Sequence, residues 1–153
     1  MARTISHKFG KEFGRKNVLD AKVNWYRDKQ DWSMYSKFFV EKCMYDSIEN
    51  WSKHYIGKGI LNNVAWEVFQ HSQNKRELEK AVSWVNIAIK MKLNQEGDVI
   101  VYDKDVMDTK ANLLYKLGKR DMALILENRA HILAPEDTVI QGNLNKMERG
   151  KPT

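Results

Sequence analysis

Apolar residues recur along most of the chain at the three- and four-residue steps of an amphipathic helix. Polar or glycine-bearing breaks divide them into seven segments. The first helix is predicted over about 5–28, with Phe9, Phe13, Val18, Leu19 and Val23 inward. "DKQD" turns the chain, and Asp31 or Ser33 caps a second helix carrying Tyr35, Phe38, Phe39 and Met44. "YIGKGI" interrupts the pattern at Gly57 and Gly59. A third helix over about 61–71 carries Ala65, Trp66, Val68 and Phe69. After "HSQNK" comes the clearest amphipathic stretch, about 76–93, with Leu78, Ala81, Val82, Val85, Ala88 and Ile89 inward. "NQEGDVIVYDKD" reads as a loop, because a lone strand at "VIVY" has no partner. Helices follow at about 106–117 and 120–133. The last starts after Ala134, with Pro135 at its first position and Glu136 and Asp137 complementing its dipole. Ile140, Leu144 and Met147 mark its buried face. Short links between consecutive helices predict antiparallel neighbours and an all-α fold.

The small residues carry a second pattern. Ala111, Ala123 and Ala130 are spaced by 12 and 7, with Gly118 between the first two and Pro135 five residues after the last. Two helices whose axes approach closely need small side chains at the contact. Gly118 suits the left-handed end of the first helix. The spacing resembles the 34-residue tetratricopeptide unit, a helix–turn–helix. Ala65, Ala81 and Ala88 repeat it with a longer turn, and Asn24, Ser36 and Cys43 make a poorer copy spaced 12 and 7. Lys110, Arg120 and Glu127 stand where that unit has larger apolar residues, so the repeat is degenerate. The expected organisation is one helical-repeat domain over 1–153. Its units fall at about 17–48, 58–93 and 104–135, with a closing helix at about 136–149, wound as a short right-handed superhelix.

The stretches "LNNVAWEVFQHSQNKRELEKAVSWVNIAIKM", "DTKANLLYKLGKRDMALILENRAHILAPED" and "NKMERGKPT" resemble the C-terminal helical region of thioredoxin-family proteins of the Bacteroidetes cell envelope. The resemblance covers about 60–153 and implies an accessory or interaction region behind a thioredoxin-like domain. It implies the envelope or periplasm if the chain is part of a longer precursor. Otherwise the expectation is cytoplasmic, since "MARTISHKFGKEFGRKN" lacks a signal peptide's apolar stretch. No redox residue carries over, because no thioredoxin active-site motif is present.

Composition changes this picture little. The 153 residues carry a net charge of +6, and residues 1–60 hold 12 basic and 7 acidic side chains. The same segment contains Trp25, Tyr26, Trp32, Tyr35, Phe38 and Phe39. Basic plus aromatic is the composition of a nucleic-acid surface, and this is the alternative function. The bases are dispersed, which favours the reading of aromatics as core. The single cysteine excludes an intramolecular disulfide and any Cys-Cys redox or cysteine-rich zinc motif. No apolar run reaches the length of a membrane span.

No catalytic, cofactor or metal site is expected. Asp103, Asp105 and Asp108 approach a calcium spacing, but Asp108 and Leu114 occupy the positions that need glycine and glutamate. His7, His54, His71 and His131 follow no ligand pattern. The expected site is instead a concave groove for a protein or peptide, lined by Asn62, Trp66, Asp108, Asn112, Tyr115 and Lys116. Asp108, Asn112 and Lys116 recur every four residues and predict one exposed stripe.

Overall fold

The computed structural model describes residues 11–48, 57–95 and 103–153. They form seven helices: α1 (Lys11–Asp28), α2 (Trp32–Tyr45), α3 (Gly57–His71), α4 (Lys75–Gln95), α5 (Lys104–Lys116), α6 (Arg120–Leu133) and α7 (Thr138–Glu148). No strand occurs among the described residues. Phe9 and "VIVY" lie outside them.

Local chemistry sets the helix ends. The Asp31 carboxylate accepts from Met34 N at the start of α2. Asp103 accepts from Asp105 N at the start of α5, and Asp137 from Val139 N and Ile140 N at the start of α7. Pro135 therefore sits in the turn before α7, three residues ahead of its first helical position. Its ring fixes φ there, and the cap falls to the aspartate that can accept the free N–H groups. Gly118 ends α5 at φ 78°, with Gly118 N donating to Tyr115 O and Lys119 N to Leu114 O. Gly150 ends α7 in the same way at φ 67°, through Met147 O and Lys146 O. These are two Schellman closures. Gly57 and Gly59, expected to interrupt the chain, instead lie in the first turn of α3. Glycine costs little at a helix start compared with its interior.

The helices pack as three hairpins, α1 with α2, α3 with α4 and α5 with α6, and α7 closes the stack. Neighbouring hairpins meet through α2 on α3 and α4, and through α3 and α4 on α5. The closing helix rests on α6 and α5. The largest core unites Val40 and Cys43 of α2, Leu61, Ala65 and Val68 of α3, Ala81, Trp84, Val85 and Ala88 of α4, and Leu113 of α5. Ala65, Ala81, Ala111, Ala123 and Ala130 are fully buried, as a close axial approach requires. Asn24 is exposed and takes no part in such a contact, although Ser36 and Cys43 are buried. Phe13, expected inward, is half exposed, and Met44 of α2 is also about half exposed. Phe13 precedes Leu19 by six residues, a third of a turn off the Leu19–Val23 stripe that α1 lays on α2.

Trp84 is the largest fully buried side chain. Removing it leaves a cavity on top of the lost transfer energy, so Trp84→Ala should destabilise the chain by about 3–5 kcal/mol. A urea titration followed by circular dichroism measures this.

Candidate functional site

Antiparallel hairpins bring the three intra-hairpin turns and the end of α7 to one edge of the stack. Two clefts open there. The first, about 590 Å³, lies between the starts of α2 and α4 and the end of α3. Trp32, Ser33, Met34, Ser36, Lys37, Gln70, His71, Gln73, Asn74 and Glu77 line it. The second, about 440 Å³, is lined by Phe69, Gln73, Tyr115, Lys116 and the four residues Gly150, Lys151, Pro152 and Thr153. Gln73 belongs to both.

In the first cleft the Trp32 indole stacks on the His71 ring, with centroids 4.3 Å apart and planes 21° from parallel. Tyr35 meets His71 edge-on at 5.4 Å. Its hydroxyl donates to Glu67 Oε1 at 2.6 Å, and His71 Nε2 lies 3.3 Å from the same oxygen. Burial, then the bond to Glu67, pushes the Tyr35 phenol well above its ordinary pKa. The phenol is thus a fixed donor rather than an acid. Below it, the hydroxyls of Ser36 and Ser72 both donate to Glu77 Oε2, at 2.8 and 2.6 Å. Ser72 Oγ accepts from Asn74 N and Asn74 Oδ1 from Arg76 N, which satisfies the start of α4. Both carboxylates are thereby engaged. Lys37, Gln70, Gln73 and Asn74 supply the cleft's cationic and amide groups.

In the second cleft Lys116 Nζ donates to Phe69 O at 2.6 Å and sits 5.1 Å from the Phe69 ring centroid. Burial lowers the ammonium's pKa. The cation serves one of the last carbonyls of α3, where the helix dipole favours positive charge. Arg120 does the same for α7, with Nε donating to Met147 O at 3.2 Å and Nη2 to Glu148 O at 2.6 Å.

Of the six residues expected to line a groove, Tyr115 and Lys116 border the second cleft. Trp66 is half-buried and leans on Phe69, centroids 4.9 Å apart, against the main core. Asn62 is half-buried one turn earlier, with a buried Oδ1 that has no hydrogen-bond partner. The expected exposed stripe is not there. Asp108 is 8% exposed and Asn112 fully buried, because α6 and α7 cover that face of α5. They form a polar cluster instead. Asn112 Nδ2 donates to Asp108 O at 2.9 Å and to Asp108 Oδ1 at 2.8 Å, and Asn143 Nδ2 of α7 reaches the same Oδ1 at 3.0 Å. The fully buried Glu127 of α6 adjoins Asp108. Burial, then the neighbouring Asp108 charge, pushes the Glu127 carboxyl up to about 9. Burial also raises Asp108, against the lowering bonds from Asn143, Glu127 and Asn112.

The remaining sequence candidates separate. Asp103 caps α5, and Asp105 lies 3.1 Å from Lys104 Nζ. No group of three or more His, Cys, Asp or Glu suited to a metal occurs among the described residues. No described helix is long and apolar enough to cross a membrane. No protein-family model matches the sequence, and no curated protein matches it.

Cys43 is buried, and desolvation pushes its thiol up to about 12. At mildly alkaline pH the folded chain should react with an aromatic disulfide reagent about a thousandfold more slowly than the unfolded chain. Stopped-flow absorbance with and without guanidinium measures the ratio.

Proposed function

We propose that this chain is a non-catalytic, tetratricopeptide-like interaction module that takes a segment of a partner protein along its turn edge. The observation that carries the reading is the pair of clefts meeting at Gln73. Their walls combine aromatic surface from Trp32, Phe69 and Tyr115 with amides from Gln70, Gln73 and Asn74. Lys37, Lys116 and Lys151 add positive charge. Aromatic anchors beside adaptable amides suit an extended polypeptide. The sequence resemblance supports an accessory role behind a thioredoxin-like domain of a longer protein, in the cell envelope.

The nucleic-acid reading draws on Trp25, which is 61% exposed with Lys29 Nζ 5.2 Å from its ring centroid. Against it, Arg15 lies 3.6 Å from Glu41 and Arg27 3.7 Å from Asp28. Lys42 is shared between Asp20 and Asp46. The free basic surface that phosphates need is correspondingly reduced.

Random peptides displayed on phage and panned on the chain test the interaction reading. Enriched peptides should bind the Lys37→Glu/Lys151→Glu variant at least about tenfold more weakly, a loss of about 1.4 kcal/mol. Peptides indifferent to these changes, or no enrichment, would count against it. A fluorescent single-stranded oligonucleotide titrated at low and high salt should show no salt-sensitive binding.

A further inference from the structure

The Asp108 cluster has more acceptors than donors. Two carboxyl groups and the Asn112 carbonyl meet at the junction of α5, α6 and α7, served by the amide NH₂ groups of Asn112 and Asn143. Both oxygens of Glu127 and Oδ1 of Asn112 are buried without an N–H or O–H partner. A buried acceptor without a donor is costly, and two ionised carboxylates side by side cost more. One proton removes the second penalty and reduces the first. Placed on Glu127, it makes that carboxyl a donor to the Asp108 carboxylate.

We propose that the Asp108–Glu127 pair is a proton-operated latch for the closing helix: one shared proton holds α7 against α5 and α6, and its loss releases α7. The latch acts on α7 for geometric reasons. Asn143 bonds directly to Asp108, while Ile140, Leu144 and Met147 supply the buried apolar contacts of an 11-residue helix. Deprotonation passes the Glu127 proton to solvent and leaves two adjacent buried anions. Hydrating them requires α7 to lift, since it is the short helix that lids the cluster.

Other ionisable groups frame the pair. From the start of α7, Asp137 adds negative charge, and Lys104 of α5 holds it through a 2.6 Å contact to Oδ2. Lys104 is raised further above its ordinary value by Asp137 and then Asp105, and Asp137 is lowered by Lys104. That ion pair keeps its charges through the neutral and mildly alkaline range. On α6, His131 lies one turn past Glu127 with its Nδ1 buried and unpaired.

The folded pair keeps a proton that the unfolded chain releases above the ordinary carboxylate range. Stability is therefore fully present below about 4.5, falls as pH rises toward about 9 and levels off beyond it.

The test compares wild type with Glu127→Gln, whose amide can donate to Asp108 without an ionisable proton. Both are measured in a His131→Gln background, which removes the imidazole's own titration. Between about pH 6 and 8 the wild-type folding constant should fall by up to about tenfold per unit, the limit for one proton. The α7 amides should lose hydrogen-exchange protection, after correction for intrinsic rate, before those of α3 and α4. Glu127→Gln should flatten both dependences. If it does not fold, infrared difference spectra of wild type and Asp108→Asn decide. Wild type should show the C=O band of a protonated carboxyl at neutral pH, fading in step with α7 protection as pH rises. In Asp108→Asn the band should fade at lower pH. Parallel pH profiles in wild type and Glu127→Gln, absence of the band, or loss of α7 protection on dialysis against a chelator would overturn the latch. The last result would mean that a cation neutralises the pair.

Discussion

The approach of α3 to α4 governs how the other helices are placed. Ala65 on one side and Ala81 and Ala88 on the other remove side-chain bulk where the axes close. The indole of Trp84 fills space among the same residues. Its cluster reaches Val40 and Cys43 in the preceding hairpin and Leu113 in the following one. A wider separation of α3 and α4 would open a void around the indole and withdraw the surface on which both neighbours rest. Close packing makes that surface unforgiving.

Polar groups follow a different logic at the turn edge. Helix ends there expose backbone groups that need partners, and neighbouring hairpins supply them. Lys116 serves α3 and Arg120 serves α7. Tyr35 and Ser36 of α2 bind carboxylates of α3 and α4. The clefts are what remains where these partnerships leave open space. Their polar lining is therefore a by-product of helix termination as well as a resource for recognition.

Much of the fold was legible because period and punctuation agreed. The pattern predicts Arg120–Leu133 with its observed bounds, since Gly118 and Ala134 frame it. The apolar part of the buried face of α7, Ile140, Leu144 and Met147, follows from the spacing, whereas the buried Asn143 beside them does not. Trp84 and Glu127 are core residues that share one sequence signal. Each lies between two buried alanines at helical steps, Trp84 between Ala81 and Ala88 and Glu127 between Ala123 and Ala130. That position signals burial whatever the side chain. The polarity of Glu127 masked the signal, and so did the view that Asp108 and Asn112 must face water. Their spacing fixes a face of α5, but only the tertiary arrangement of α6 and α7 decides what covers it. The clefts were not legible either. They join residues 32–37, 69–77, 115–116 and 150–153, which no local pattern relates.

The hairpins touch in sequence, so communication along the molecule is directional. A disturbance in α1 passes through α2, and one in α7 passes through α5 and α6. Among the described residues, the α3–α4 hairpin packs between the α1–α2 hairpin and α5. The Tyr35–Glu67 and Ser36–Glu77 bonds tie it to one neighbour and Lys116–Phe69 ties it to the other. A shift at residues 67–77 registers in both neighbours at once, whereas a shift at either terminus must first be received there.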